Sequence, residues 1–324
     1  MKIKSSIDDY LRMISSSRSA NTARTYRNAL RFFEEVLEAH NIEIETSNVS
    51  ELTENIHWLI QALRVYSPTT ERLYLTAVSG YFDYLVSEEL NNINLNRLKM
   101  LIHQRARRPA IRLPQFPQDA IEKIISYTNG FVVPKGINKS EKLRALRDRA
   151  FLITLADTGL RVHEACNLRR GDIDWFEGRA VIIGKGNRQA IVRFSQRAQQ
   201  AIQEYHGARA ELDGQSGKPL GSLPVFARHD RGAGNKIKPI TTTTGRNIVD
   251  QRAREILGDE AAGSITPHSF RHYFVTRVLQ ASGNLKLAQE LARHQNIAVT
   301  QRYAHLSNKQ LDDGYRSIFE ADEQ

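Results

Sequence analysis

The chain has 324 residues, of which 40% are hydrophobic and 25% are charged, and its formal net charge is +10 at pH 7. This composition is typical of a globular protein, and the length is sufficient for two domains. The single cysteine, Cys166, excludes an internal disulfide, and the sequence has no uninterrupted apolar run long enough for a membrane-spanning helix.

The excess of positive charge favours a polyanionic partner, because Lys and Arg side chains that bind phosphates release condensed counterions. Two acidic residues, Asp8 and Asp9, stand where a secretory signal would be apolar. Together with the single cysteine, they predict a cytoplasmic protein that works in a reducing environment.

The first hundred residues are predicted to form helices, because apolar side chains recur there every three or four positions. One apolar stripe consists of Tyr26, Leu30, Phe33 and Leu37. A second stripe consists of Leu73, Ala77, Tyr81 and Tyr84. Ser67 and Pro68 precede the second stripe and are typical of the N-cap and the first position of a helix. A third helix is predicted for "NIHWLIQALRV", and we interpret residues 1–104 as a helical domain.

A basic segment that contains proline follows at 105–116. Its arginines are Arg105, Arg107, Arg108 and Arg112. Proline blocks a continuing helix and favours extended backbone, so this segment is predicted to be a linker between two domains. The linker arginines can lie along a phosphate backbone, or they can simply be solvated, and both interpretations are open at this point.

The second half of the chain, 117–324, combines helices with a small sheet. Helical patterns occur at 118–127 and in "LRALRDRAFLITLADTG", which ends at Gly159. The segments "DIDWF", "RAVII" and "QAIVRF" predict a three-stranded antiparallel sheet, with turns at Glu177 and Gly178 and around Lys185. The helical pattern returns at Thr243 and continues to the end. The predicted fold class is therefore mainly α with a small antiparallel β-sheet (α+β).

Two arginine motifs in this half suit the chemistry of a phosphodiester. Arg161 lies in "TGLRVHEACNL", and Arg271 lies in "TPHSFRHYFVT". Cleavage of a phosphodiester adds charge to the non-bridging oxygens, and a planar guanidinium can bond two of these oxygens while it remains charged. In the second motif Thr266 is predicted to cap a helix, which places His268 and Arg271 on one face.

Tyr303, in the segment "RHQNIAVTQRYAHL", is a candidate nucleophile. The pKa of a free phenol is about 10, so attack at neutral pH requires a proton acceptor and a positive field. His268 can accept the proton, and Lys185 can protonate the leaving alkoxide. His294 can bind a phosphate oxygen. Because a phosphotyrosine ester conserves the energy of the broken bond, the cycle needs neither ATP nor a metal.

These motifs, in this order and with a lysine hairpin between the first two, closely resemble those of the tyrosine recombinase (phage integrase) family. The resemblance covers the whole chain and is to the simpler, two-domain members. It implies a helical, SAM-like core-binding domain and a catalytic domain that form a C-shaped clamp on DNA. It also implies a 3′-phosphotyrosine intermediate and strand exchange through a Holliday junction, in a homotetramer bound to inverted-repeat core sites.

By this resemblance, each reacting position of the family has a counterpart in this chain. The catalytic set is Arg161, Lys185, His268, Arg271, His294 and Tyr303. Two positions depart from the family pattern, since Phe270 stands where leucine is frequent and Arg293 stands where glycine is frequent. Neither departure removes a reacting group, but Arg293 alters the expected turn before His294. Glu164 and Asp148 are expected to orient arginines and not to react.

Some of these assignments have rivals. Lys142 or Lys218 can be argued in place of Lys185. Tyr273 is the nearest rival of Tyr303, although we expect it to pack in the core. Among functions, the rivals are a type IB topoisomerase, which relaxes supercoils by the same chemistry, and a DNA-binding protein that has lost catalysis.

The C-terminal tail has apolar residues at roughly helical spacing. They are Leu311, Tyr315, Ile318 and Phe319. By the resemblance to the family, we expect this tail to pack on a neighbouring protomer. The alternative is that it packs on its own domain.

Overall fold

The computed structural model describes residues 1–53, 55–107, 117–132, 134, 136–184, 189–230, 232 and 236–301. The chain divides into two units, Met1–Ile111 and Arg112–Gln324. The point of division falls within the segment predicted to be a linker, 105–116. In the part of the chain that is described, no helix is long and apolar enough to cross a membrane.

The N-terminal unit is built from helices. In chain order these are α1 (Ile3–Ser17), α2 (Ala20–Glu38), α3 (Ile56–Ala62), α4 (Pro68–Ser87) and α5 (Leu95–Arg105). The predicted start of α4 is confirmed, because the Ser67 hydroxyl accepts a hydrogen bond from the backbone N–H of Thr70 at 3.2 Å and Pro68 takes the first helical position. The helix predicted for "NIHWLIQALRV" is also confirmed, as α3.

The apolar faces of α2 and α4 form much of the core of this unit. On α2 the predicted stripe is confirmed, since Leu30, Phe33 and Leu37 are fully buried. On α4 the predicted face is partly wrong, because Leu73 is 46% exposed. The apolar residues that α4 buries include Leu75, Val78, Tyr81, Phe82 and Leu85. Several apolar stripes can be drawn on so hydrophobic a helix, and only its packing against α2 selects one of them.

Two arginines of the predicted linker belong to the N-terminal unit. Arg105 is the last residue of α5 and is exposed, so the helix extends one residue into the predicted linker. The Nε of Arg107 donates to Glu71 at 2.6 Å, and its backbone N–H donates to the same carboxylate at 2.8 Å. The Glu71 side chain is 0% exposed and requires a cationic partner, so Arg107 has a structural role that the sequence did not predict. Arg108 and Arg112 lie outside the described residues.

The C-terminal unit combines helices with a small sheet. Its helices are α6 (Gln118–Gly130), α7 (Lys139–Thr158), α8 (Val162–Asn167), α9 (Gln196–Gly214), α10 (Thr242–Leu257), α11 (Pro267–Ser282), α12 (Leu285–Ala292) and α13 (Ile297–Gln301). Its strands are β1 (Ile173–Asp174), β2 (Arg179–Ile183) and β3 (Gln189–Arg193). The strands pair antiparallel in the order β1-β2-β3, as predicted, and Val181 lies opposite Ile191.

Helix α9 was not predicted. The helical pattern was expected to return at Thr243, whereas α9 already begins at Gln196, after a cap in which the Ser195 hydroxyl accepts from the backbone N–H of Ala198. Alanine and glutamine make up 8 of the 19 residues of α9, and large apolar side chains are few, so the helix presents a weak apolar stripe. Its burial depends on close packing against α7, which involves small side chains and is not visible in a hydrophobicity pattern.

Helix α7 runs through the centre of the unit and ends where the candidate site begins. Gly159 follows its last residue with φ +58°, and a Cβ there would lie 2.5 Å from the ring of Phe274. Glycine therefore stops the helix at this position and allows the chain to turn towards Arg161.

Replacement of Arg107 by Ala tests the structural role of its pair with Glu71. The substitution leaves a buried carboxylate without its partner, and because Arg107 itself is partly exposed we expect a loss of about 2–3 kcal/mol in the free energy of unfolding. Urea unfolding in a Trp175→Phe background makes Trp58 the reporter, so that the N-terminal unit is observed alone. The matched control is Arg105→Ala, which should change stability by less than about 0.5 kcal/mol. Equal stability of the two variants would contradict the structural role.

Candidate active site

Arg161 is held at the start of α8 by Glu164. Its backbone N–H donates to Glu164 Oε2 at 2.8 Å, and its Nη1 donates to Oε1 at 2.9 Å. The Glu164 side chain is 1% exposed, whereas the Arg161 side chain is 40% exposed. The carboxylate is thus fixed in the interior, and it holds a guanidinium that reaches the surface of the unit. The prediction that Glu164 orients an arginine is confirmed.

Glu164 is an anion because its neighbours outweigh its burial. Burial raises the pKa of this carboxyl, but the backbone hydrogen bond from Arg161 and the charges of Arg293 and Arg161 lower it, and the resulting pKa lies below the ordinary value. The charged form therefore prevails at neutral pH, and the two arginines are held by a full negative charge.

Arg271 connects three segments of the C-terminal unit. It lies on α11 and is 3% exposed. Its Nη1 donates to the carbonyl of Gly159, at the end of α7, and its Nη2 donates to the carbonyl of Ala292, at the end of α12. These carbonyls lie next to the segments that carry Arg161 and His294. Arg271 therefore fixes the backbone on both sides of the candidate site.

His268 lies in the first turn of α11, as predicted. The Thr266 hydroxyl accepts from the backbone N–H of Ser269 and caps the helix. The ring of His268 stands at 84° to that of His272, with centroids 4.2 Å apart. Burial lowers the pKa of His268, and the charges of Arg271 and Arg161 lower it further. The imidazole is therefore held in its neutral form.

His294 follows the end of α12 and is also neutral. Its Nδ1 lies 2.9 Å from the hydroxyl of Thr300, which is fully buried. Burial lowers the pKa of His294 to about 4, with further contributions from the charges of Arg271, Arg161, Arg293 and His268.

The structure brings together four of the six residues in the predicted set. The charges of Arg161 and Arg271 act on both His268 and His294, so these four groups share one electrostatic environment. They come from the start of α8, from one face of α11 and from the turn after α12. Lys185 and Tyr303, the remaining two, lie outside the described residues.

A fifth residue, the cationic Arg293, lies in the same cluster and was not predicted as a site residue. Its Nη2 is 3.3 Å from Glu164 Oε2 and 3.3 Å from the carbonyl of Gly159. Its backbone is left-handed, with φ +58° and ψ +44°, a conformation that costs a residue with a Cβ about 1–2 kcal/mol. The end of α12 nevertheless has the hydrogen bond that is typical of a helix end, because the N–H of His294 donates to the carbonyl of Gln289 at 3.0 Å. The sequence did contain a signal for this residue, because a charged side chain stands at a helix end where glycine is favoured.

Tyr273 and Asp148 have structural roles. Tyr273 is 8% exposed, and burial raises the pKa of its phenol, as expected for a core residue. Asp148 is buried and pairs with Arg147 and Arg252. The arginines that Asp148 orients are therefore different from those of the candidate site.

Two domain-family profiles match this chain, each over a different part of it. That of the Phage integrase family matches residues 115–310, and that of the Phage integrase N-terminal SAM-like domain matches residues 7–89. A relative from Pediococcus pentosaceus, tyrosine recombinase XerC, is 30% identical over 245 residues, which cover 76% of this chain and 74% of the relative. Tyrosine recombinase XerC of Thermodesulfovibrio yellowstonii is 28% identical over 297 residues, which cover 92% of this chain and 89% of the relative.

A solved structure has a similar fold. The Tn1549 transposon integrase, in complex with transposon right end DNA, gives a TM-score of 0.67 at 18% identity and covers 99% of this chain and 100% of that chain. At this identity the similarity shows the fold alone. It confirms the predicted fold class, in which a helical SAM-like domain accompanies a catalytic domain with a small sheet.

The histidines give a test of the site in the absence of DNA. We expect a pKa of about 4 for His294 and a pKa below the ordinary value for His268, because burial and two arginines disfavour their charged forms. Ring-nitrogen NMR over a pH series measures both values, and the variants His268→Asn and His294→Asn assign the resonances. Titration of His294 at its ordinary value would show that the arginines and the histidine are not assembled as described.

Proposed function

The chain belongs to the phage integrase family, and on that premise we propose that it is a site-specific recombinase that cleaves and rejoins double-stranded DNA through a 3′-phosphotyrosine. The observation that carries the proposal is the convergence of Arg161 and Arg271 on two neutral histidines. The family predicted from the sequence motifs is confirmed by the profile match and by the recombinase relatives.

The two arginines are proposed to bind the non-bridging oxygens of the scissile phosphate. Both guanidiniums are fixed before DNA arrives, Arg161 by a buried carboxylate and Arg271 by backbone carbonyls. Donors that are already oriented need no reorganisation as charge develops on the phosphate, and this is the condition under which they stabilise the transition state most.

The neutral histidines suit two different tasks. We assign His268 as the acceptor of the Tyr303 proton, because a neutral imidazole has a free lone pair at operating pH. For His294, we assign the Thr300 hydroxyl as the donor to Nδ1, so that the ring proton lies on Nε2 and can be donated to a phosphate oxygen.

Tyr303 is proposed as the nucleophile. Thr300 contacts His294 directly, and three residues of chain can span at most about 11 Å, so Tyr303 is tethered near the site by its sequence position. Its phenolic oxygen attacks phosphorus, the bond to the 5′-oxygen breaks, and Lys185 gives a proton to the departing oxygen. The 5′-hydroxyl of a second strand can later attack the phosphotyrosine and give its proton to Lys185. The bond from phosphorus to the tyrosine oxygen then breaks, and His268 returns the proton to Tyr303. Phosphodiester bonds are conserved throughout.

Basic residues outside the catalytic set are proposed to bind the DNA backbone. The net charge of +10 favours such binding, and Arg105 is exposed at the end of α5. Arg108 and Arg112 follow it in the predicted linker. We leave Arg107 out of this group, because its guanidinium is bound to Glu71. The linker and the N-terminal domain are expected to contribute affinity that depends on salt.

The nucleophile is tested by capture of the covalent intermediate. With a substrate nicked beside the scissile phosphate, the released fragment diffuses away and we expect a protein–DNA adduct to accumulate. Tyr303→Phe removes the attacking oxygen and should abolish the adduct. Tyr273→Phe is the matched control and should retain it, because that phenol is buried in the core. The adduct is measured by denaturing gel electrophoresis and mapped by mass spectrometry.

The same experiment separates the rival functions. An adduct that forms with Tyr303→Phe, but not with Tyr273→Phe, would overturn the assignment of the nucleophile. Plasmid relaxation without recombinant products would indicate a type IB topoisomerase, which the recombinase relatives do not favour. Specific DNA binding without any adduct would indicate a binding protein that has lost catalysis.

We further propose that the active assembly is a homotetramer on paired inverted-repeat core sites, in contact with nucleoid DNA in the cytoplasm. Strand exchange between two duplexes requires four cleavages, and four copies of one chain supply them. The C-terminal tail, which lies outside the described residues, is proposed to pack on the neighbouring protomer.

Deletion of residues 311–324 tests the exchange of the tail between protomers. We expect the shortened protein to bind a single half-site with unchanged affinity, since the catalytic cluster is retained, and to lose assembly on paired full sites. Native gels or analytical ultracentrifugation of the DNA complexes measure both properties. Full tetramer assembly by the shortened protein would show that the tail packs on its own domain.

A further inference from the structure

Arg293 lies where the two supports of the candidate site meet. Glu164 accepts hydrogen bonds from the guanidiniums of both Arg161 and Arg293, at Oε1 and Oε2 respectively. The carbonyl of Gly159 accepts from both Arg271 and Arg293. A single guanidinium therefore touches the acceptor that holds Arg161 and the acceptor that holds Arg271.

The position of Arg293 in the chain adds a third connection. It is the residue directly before His294, and it ends α12 in a left-handed conformation. Its Nη1 also lies 3.5 Å from the carbonyl of Thr158, at the end of α7. The turn that carries His294 is thus fastened by a side chain to the end of α7 and, through Glu164, to α8.

Backbone conformation alone does not explain an arginine here. Glycine adopts the left-handed conformation without the steric conflict that a Cβ brings, so a purely conformational requirement is met better by glycine. The arginine side chain is also 10% exposed, and burial lowers its pKa even though Glu164 opposes this effect. A strained backbone and a desolvated charge persist together only where the surrounding contacts determine them.

We propose that Arg293 is a positioning residue of the recombinase site, which acts through Glu164 and the Gly159 carbonyl to fix both substrate-binding arginines relative to His294. It does not touch the scissile phosphate in this role. The inference rests on the proposed function, because it presumes that Arg161 and Arg271 bind the transition state.

Arg293→Gly separates the two roles that the residue can have. Glycine relieves the backbone and removes the guanidinium, so a purely structural arginine predicts a stable and fully active variant. A positioning arginine predicts that the urea midpoint is unchanged or raised while the rate of adduct formation at saturating DNA falls by roughly tenfold to a hundredfold. DNA affinity should change by less than about threefold, because the loss appears in the transition state.

Two further variants test the route through Glu164. Arg293→Lys retains the charge but cannot bond the carboxylate and the Gly159 carbonyl with one planar group, so its rate should lie between those of the wild type and Arg293→Gly. It also provides a test if the glycine variant does not fold. In a Glu164→Gln background, the addition of Arg293→Gly should slow cleavage by a further factor of less than about three, since the shared carboxylate is already altered.

An additional measurement distinguishes positioning from a general loss of order. Burial is the largest of the effects that lower the pKa of His294. The groups that face His294 lower it further, and these are Arg271, Arg161, Arg293 and His268. Removal of the Arg293 charge should therefore move the NMR titration of His294 upwards while the unfolding midpoint is maintained.

The outcomes are distinct. Absence of an adduct with the wild-type protein refutes the proposed function. An adduct that forms with the wild type and equally fast with Arg293→Gly refutes the positioning role alone. Equal rates for Arg293→Lys and the wild type refute the need for a planar group, and independent effects of the Glu164 and Arg293 substitutions refute the route through the carboxylate.

Discussion

The candidate site depends on one buried carboxylate that compensates a cluster of cations. Glu164 bonds Arg161 and Arg293 at once, while Arg271 is satisfied by backbone carbonyls. Two like unit charges 4 Å apart repel by about 4 kcal/mol at an effective dielectric constant of about 20, so such a cluster is not stable without compensation. Because the cluster contains one carboxylate and three guanidiniums, it remains positive overall. That remaining charge is what a phosphodiester can neutralise.

The same positive field determines the state of the histidines. Burial and the arginines both lower the pKa of His268 and His294, so neither ring competes with the substrate as a further cation. A bound phosphate brings negative charge into this field and opposes its effect on the imidazoles. The affinity of His268 for a proton therefore rises when DNA is bound, which is the state in which the proposed mechanism transfers the tyrosine proton to it.

Features that depend on neighbours in the chain could be predicted from the sequence, and features that depend on distant contacts could not. The cap at Thr266 and the three-residue spacing placed His268 and Arg271 correctly, because both follow from helix geometry. The strand pairs followed from three short segments separated by turn signals. Helix α9 and the exposure of Leu73 depend on which helix packs against which, and a single sequence does not contain that information. Arg293 was noted as a departure from a pattern, but its contacts with Glu164 and Gly159 lie more than a hundred residues away in the chain.

Two arginine–glutamate pairs show why residue type alone did not separate structure from function. Both Glu71 and Glu164 are buried carboxylates, and each holds an arginine by a backbone and a side-chain hydrogen bond. Arg107, however, donates to Glu71 through Nε and to backbone carbonyls of the same unit through Nη2. Arg161 donates to Glu164 through Nη1, and its side chain is more exposed than that of Arg107. Arg107 closes a core, and Arg161 presents an oriented cation. The difference lies in which donors the fold uses, and this depends on how the partner carboxylate approaches the guanidinium.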